Sequence, residues 1–142
     1  MQDDRLESAL GYALVRAFRH VNRAHNRALL PFELSAEQAH ILLVLWLDGS
    51  MKIGDLQRSL VLSSGTLTGA IDRMEKAGLV RRVADPDDGR ACRIEPASMN
   101  VRRRRAIEDT LERTEEETFS SLDARERREL FRLLLKVAGQ RR

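Results

Sequence analysis

The most constraining feature of this 142-residue chain is a short helix followed at once by two β-like runs with a polar loop between them. Three apolar residues recur at helical spacings and share one face of that helix: Leu67, Ile71 and Met74. Gly78 then takes the left-handed position that ends a helix. The runs 79–83 and 92–95 flank residues 84–90, whose Asp, Pro and Gly content is typical of a hairpin loop. The segment therefore predicts a helix packed against a β-hairpin.

A second short helix precedes this unit and is joined to it by a tight turn. It carries Leu56 and Leu60, and the turn covers residues 61–64. Ser63 or Ser64 is the expected N-cap of the following helix, because a serine hydroxyl can accept a hydrogen bond from a free backbone N–H. Two short helices, a tight turn and a hairpin together predict a winged helix-turn-helix.

Further helices are predicted on both sides of this unit. Residues 5–28 carry apolar side chains three and four apart, and two more helices follow Ser98. The helix that begins near residue 36 is apolar almost all round, so we expect it to be buried in the middle of the domain. Two capping boxes mark helix starts: Ser35 with Gln38, and Asp123 with Glu126.

The fold is therefore expected to be mainly α with a small β-hairpin wing, and the length suits one domain with helical extensions. The apolar stripes of the first and last helices exceed what one small wing domain can cover, so a second copy of the chain is expected to bury them. The predicted boundaries are 1–34 for an N-terminal dimerisation helix and connector, 35–97 for the winged helix-turn-helix, and 98–142 for C-terminal dimerisation helices.

Candidate DNA-contacting residues lie at the start of the second helix and around the hairpin. The helix start carries small polar residues that can approach DNA closely and reach phosphates or base edges: Ser63, Ser64, Gly65, Thr66 and Thr68. Arg73 follows on the outer side, Arg81 and Arg82 precede the loop, and Arg90 lies where it can enter a narrow minor groove. Taken alone, the hydroxyl cluster is also typical of a capped helix start, and Arg90 of a solvated surface charge.

Residues 62–82, followed by Asp-Pro-Asp-Asp-Gly-Arg-Ala at 85–91, resemble the MarR family of bacterial transcription regulators, and the flanking helices fit the same pattern. The resemblance implies a homodimer on a palindromic DNA site, with recognition helices in the major groove and wings in the minor groove. The Asp-x-Arg wing motif of that family falls on Asp88 and Arg90, which implies that Asp88 shapes the wing and Arg90 contacts DNA.

Within that family, residues 64–68 and Val44-Leu45-Trp46 look most like the organic-hydroperoxide-sensing (OhrR) branch. That branch senses through a cysteine in the first helix, and this chain has none there. Gly69 and Ala70 stand where many relatives carry a long polar side chain, so base readout is expected to be thin. Pro96-Ala97 replaces the usual Leu-Thr after the wing, so the next helix is expected to cap on Ser98.

The sequence thus indicates a sequence-specific double-stranded DNA-binding transcription regulator, a repressor responsive to a small apolar or phenolic effector. Two alternatives remain open: a redox-responsive regulator that senses through Cys92, and a winged-helix protein-interaction module that does not bind DNA. Cys92 shares a strand face with Ile94, so its default interpretation is an inert, inward thiol. The net charge of only +3 does not decide between them.

Several classes of protein are poorly supported. The chain contains no GxGxxG, GxxxxGK[ST], HExxH or GxSxG motif, so no catalytic residue and no cofactor are expected. His20 and His25 are five residues apart, about 140° around a helix, so they do not share a metal-binding face. No apolar run approaches the ~20 residues of a membrane span, and a single cysteine suits a cytoplasmic protein without membrane partners.

Overall fold

The computed structural model describes residues 9–139. The helices and strands follow the predicted order: α1 (Leu10–Ala28), a 3-10 turn (Leu30–Phe32), α2 (Ala36–Asp48), β1 (Met51–Lys52), α3 (Ile53–Leu60), α4 (Ser64–Lys76), β2 (Val80–Ala84), β3 (Cys92–Pro96), α5 (Val101–Thr118) and α6 (Ala124–Val137). The mainly α fold with a hairpin wing is confirmed. Residues 5–8 of the predicted first helix lie outside the described part of the chain.

Side-chain caps fix where most of the helices begin. Ser35 and Gln38 form the predicted capping box of α2, and Asp123 with Glu126 forms that of α6. The prediction that α5 caps on Ser98 is wrong. The chain stays non-helical through Ser98 and Met99, and the side-chain oxygen of Asn100 accepts the backbone N–H groups of the first turn at 2.9 and 3.4 Å.

The sheet has three antiparallel strands in the order β1-β3-β2. Ile94 at its centre lies opposite Met51 on one side and Arg82 on the other. The wing hairpin is therefore anchored by a third strand from before the helix-turn-helix.

The core lies between α2, the helix-turn-helix and the sheet. Leu67, Ile71 and Met74 point inward as predicted, and they pack with Leu42 and Ile94 in one buried cluster. Ala70 is also fully buried. It belongs to the core and not to the outer face, so of the two small residues expected to thin base readout only Gly69 is not buried.

Two helices leave apolar faces uncovered. Every residue of α1 from Leu10 to His20 is exposed, and Leu10 is 86% accessible. Helix α6 buries none of its residues, and Leu133, Leu134 and Val137 are exposed along it. No helix within residues 9–139 is long and apolar enough to cross a membrane.

Candidate nucleic-acid interface

The start of α4 presents the predicted polar residues to solvent. Ser63 is the N-cap, and its hydroxyl oxygen accepts the backbone N–H of Thr66 at 3.3 Å and donates to the Thr66 hydroxyl oxygen at 2.8 Å. The capping interpretation is therefore correct for Ser63. Ser64, Gly65, Thr66 and Thr68 are all exposed, and Leu67 between them is fully buried.

Close approach of another molecule is possible along this helix start. A Cβ added to Gly65 would meet nothing within 4 Å, so the backbone there is open. At Gly69 the same atom would lie 3.4 Å from the guanidinium of Arg73. Because residue 69 has no side chain, the Arg73 guanidinium can lie close to the backbone there. Both Arg73 and Thr68 are exposed.

Asp85 organises the wing, and the sequence analysis missed it. It is only 3% exposed, and its side chain accepts the backbone N–H groups of Asp87 and Asp88 at 2.8 and 3.3 Å. Arg93 donates to it at 3.3 Å, and the Lys52 ammonium lies 3.6 Å away. The hydrogen bond from Asp87, together with Arg93 and Lys52, lowers the pKa of the Asp85 carboxyl.

The signal for Asp85 was present in the sequence. An Asp before Pro-Asp-Asp is typical of a turn in which the carboxylate accepts backbone N–H groups two and three residues on. Arg93 completes the anchor by donating to the Ser50 hydroxyl at 2.8 Å and to the Ser50 carbonyl at 2.5 Å. Ser50 and Lys52 are distant in sequence from the loop, so no local pattern indicates their contacts with Arg93 and Asp85.

Asp88 and Arg90 form the tip of the wing. The Asp88 carboxylate accepts the backbone N–H of Arg90 at 3.0 Å, and its carbonyl accepts that of Ala91 at 2.9 Å. Asp88 therefore shapes the final turn, while Asp85 holds the base of the loop. The Arg90 side chain is exposed and forms no ion pair within residues 9–139.

The arginines predicted to contact DNA fall into two groups. Arg73 and Arg90 are exposed without an ion-pair partner in the described structure. Arg81 pairs with Glu95 across the hairpin at 3.1 Å, and Arg82 bridges Asp72 and Glu75 on α4. The first group can offer unpaired charge to a phosphate or a groove, whereas the guanidinium groups of the second are paired with carboxylates of the same chain.

The remaining candidates do not form a second site. Within the run of four arginines at 102–105, Arg104 pairs with Glu108 at 2.9 Å and lies over the Trp46 ring, so it is held by its own helix and by α2. Cys92 is half-buried against the core cluster. No cluster of three metal-ligating side chains occurs in the part of the chain that the structure describes.

Two histidines meet where α1, α2 and α5 come together. His25 is buried, its Nδ1 lies 2.9 Å from the Val21 carbonyl oxygen, and its Nε2 lies 3.9 Å from Glu115. The His40 ring is 5.9 Å from that of His25. Desolvation and the proximity of His25 lower the pKa of His40, which favours its neutral form.

A cleft of about 470 Å³ opens beside His40. It joins α1, the start of α2 and the turn before the recognition-type helix α4, and its lining mixes apolar and polar residues: Phe18, Asn22, Asn26, Ser35, Glu37, His40, Leu60 and Leu62. Phe18 and His40 supply the aromatic and imidazole rings of this lining.

Comparison with known proteins gives a family match over a segment that includes this interface. A model described as MarR family matches residues 34–92. The HTH-type transcriptional regulator TtmR of Methylorubrum extorquens is 37% identical over 89 residues, which are 63% of this chain and 46% of the relative. The organic hydroperoxide resistance transcriptional regulator of Bacillus subtilis is 30% identical over 90 residues, 63% of this chain and 61% of the relative. The matches span less than two thirds of either relative.

Solved structures match over nearly the whole chain. A MarR variant from E. coli in complex with operator DNA gives a TM-score of 0.82 at 24% identity, covering 90% of this chain and 92% of that one. The organohalide-sensing regulator RdhR in its 2,4-dichlorophenol-bound form gives 0.83 at 26% identity, covering 94% and 80%. The similarity in fold thus extends beyond residues 34–92 to the flanking helices.

Proposed function

We propose that this chain, which matches a MarR-family model over residues 34–92, is a dimeric transcription regulator of that type that binds a palindromic double-stranded operator in the cytoplasm and is released by a small effector. The relatives are named as transcriptional regulators, and one protein of similar fold was solved in complex with operator DNA. We expect the protein to repress transcription, because a dimer bound to an operator blocks access to the DNA beneath it.

The observation that carries this proposal is the contrast along α4. Leu67 is fully buried, while Ser64, Thr66 and Thr68 around it are exposed with hydroxyls at the positive end of the helix. Donors in that position suit phosphate and base-edge contacts in a major groove. Arg73 and the wing-tip Arg90 add unpaired charge, and an arginine at a wing tip suits the minor groove. Asp88 acts indirectly, through the shape of the tip.

A second copy of the chain is the proposed cover for α1 and α6. Leu10 and Leu14 on α1, and Leu133, Leu134 and Val137 on α6, are large apolar residues exposed on two helices that flank the DNA-binding domain. Contiguous apolar faces of this kind are typical of an obligate interface. A symmetric dimer presents two recognition helices, so the operator half-sites are expected about one helical turn, ~34–36 Å, apart.

The cleft beside His40 is the proposed effector site. Its volume of about 470 Å³ suits a single-ring molecule, and Phe18, Leu60 and Leu62 supply apolar contact. Its position matters for regulation because it touches α1 of the proposed dimer interface and also the turn that leads into α4. A ligand that widens the cleft changes the distance between the recognition helices, which lowers affinity for DNA of fixed half-site spacing.

Selection of bound duplexes from a random-sequence library tests this proposal. The purified protein is expected to enrich a palindrome, and the enriched duplex is expected to bind two chains. Enrichment of a motif without two-fold symmetry, or no enrichment at low salt, would contradict the proposal and favour a winged-helix module that contacts protein instead. Repeating the selection under oxidant tests Cys92, and unchanged enrichment is expected.

A further inference from the structure

Arg82 of the wing strand β2 joins two carboxylates of the recognition helix α4. Its Nη1 donates to a carboxylate oxygen of Glu75 at 2.5 Å, and its Nη2 donates to Asp72 at 2.6 Å. Its backbone N–H also donates to the other Glu75 oxygen at 3.1 Å. Three hydrogen bonds from one residue therefore link the wing to the helix.

The arrangement is more ordered than an isolated surface ion pair. The Arg82 side chain is only 29% exposed, and the hydrogen bonds that it donates to Asp72 and Glu75 raise the pKa of its guanidinium. Isolated exposed pairs contribute little, but a planar guanidinium that bridges two acceptors is geometrically specific. The cluster fixes direction as well as distance between the two elements.

Apolar packing also joins the wing to α4, because Val80 of β2 and Ile94 of β3 lie in the same buried cluster as the inward residues of that helix. The rest of β2 is exposed or half-buried, and the loop that follows is exposed apart from Asp85 and half-buried Ala91. Asp85 and Asp88 shape the loop internally, but neither touches α4. The Arg82 cluster is the polar link between β2 and α4 among the described residues.

We propose that Arg82 is a positioning residue that holds the wing at a fixed angle to the recognition helix and does not contact DNA itself. This inference rests on the proposed DNA-binding function. A protein that places one element in the major groove and another in the adjacent minor groove must fix the angle between them before binding, and the cluster supplies that constraint. It also pairs Asp72 and Glu75, two exposed carboxylates of α4 whose negative charge would otherwise repel phosphates.

Replacement by lysine separates positioning from direct contact. Arg82→Lys keeps the positive charge but cannot donate to both carboxylates in the same planar geometry. Positioning predicts a loss of about tenfold in affinity for the duplex selected from a random library, the order expected for a lost charge-assisted hydrogen bond. Arg104→Lys on α5, where the arginine pairs with Glu108 of its own helix, is the matched control and is expected to bind normally. Normal binding by Arg82→Lys would overturn the proposal.

A variant without the two carboxylate charges separates a positioning role of Arg82 from direct contact with DNA. The two roles predict changes of DNA affinity in opposite directions. Asp72→Asn/Glu75→Gln deletes two negative charges near DNA and frees Arg82. If Arg82 or bulk charge acts on phosphate directly, affinity rises. Positioning predicts that affinity falls about tenfold, since amides hold the guanidinium less strongly than carboxylates. Affinity equal to or above that of the unmodified protein would contradict the inference.

Two further readouts exclude a purely structural effect. Arg82→Lys combined with Arg90→Ala is expected to bind no worse than Arg90→Ala alone, because Arg82 acts through the wing; additive losses would indicate an independent DNA contact.

Without DNA, backbone amides of β2 and β3 are expected to exchange hydrogen faster in Asp72→Asn/Glu75→Gln while those of α2 are unchanged. Unchanged exchange in the wing overturns the inference. If the unmodified protein selects no duplex, the proposed function fails first and this inference falls with it.

Discussion

Leu67 and Thr68 are neighbours in α4 with opposite environments, and replacing each by alanine separates folding from DNA binding. Leu67 is fully buried in the core cluster, while Thr68 is exposed. Leu67→Ala removes three buried carbons. At about 0.8 kcal/mol per buried methylene, transfer alone gives about 2.4 kcal/mol. The cavity left in the packed core raises the expected loss of unfolding free energy to about 3–4 kcal/mol.

Thr68→Ala removes a solvated hydroxyl and improves helix propensity, so the free energy of unfolding is expected to change by no more than about 0.5 kcal/mol. Its affinity for a selected operator is expected to fall more than its affinity for scrambled DNA, because base-edge or register contacts are lost while the phosphate term remains.

The assay is a thermal or urea melt at one fixed protein concentration, followed by two DNA titrations for each variant. Fixed concentration matters because the stability of a dimer depends on it. A stable Leu67→Ala protein together with an unfolded Thr68→Ala protein would refute the orientation of α4. Equal losses of Thr68→Ala on operator and scrambled DNA would refute its role in recognition.

Three further predictions follow from single residues. Arg90→Ala is expected to weaken DNA binding and to lower the slope of affinity against salt by about 0.9, one phosphate equivalent, with an unchanged melt; an unchanged slope and affinity would make Arg90 a plain surface charge. Val61 has φ 53° and is 73% exposed at the end of α3, so Val61→Gly is expected to raise the free energy of unfolding by about 1 kcal/mol, and a loss in urea melts would contradict the strain. The pKa of Asp85 is lowered from 3.8, so its contribution to wing stability is present above that pH and is lost as pH falls through the lower folded value; Asp85→Asn is expected to remove this acid-side change in wing amide exchange, and an unaltered pH profile would count against it.

Local chemistry determined most of the fold, which is why it could be predicted. The capping boxes at Ser35 and Asp123 and the inward face of Leu67, Ile71 and Met74 depend on residues three or four apart, and the structure confirms each of them. The missed cap at Asn100 has the same local character. It was obscured by Ser98, an equally good cap residue two positions earlier, and only the extended path after β3 selects between them.

The location of the candidate site could be predicted from the sequence, but the hydrogen bonds and ion pairs among its residues could not. The exposed hydroxyls of α4 and Arg90 follow from helix and hairpin patterns. The pairing of Arg82 with Asp72 and Glu75 depends on the angle between a strand and a helix, and the charged partners of Asp85, Lys52 and Arg93, come from β1 and β3. Neither set can be derived from spacing along the chain, so four arginines near the wing looked equivalent when only two carry unpaired charge.

The ratio of affinities for the selected duplex and for a scrambled duplex of the same composition tests the central claim most directly. The account predicts that the dimer binds the selected duplex at least ~10³-fold more tightly at physiological salt, and that scrambling one half-site removes most of this preference. A ratio near one, with both affinities falling equally as salt rises, would mean that the protein binds DNA only by charge and that α4 and the wing do not read sequence.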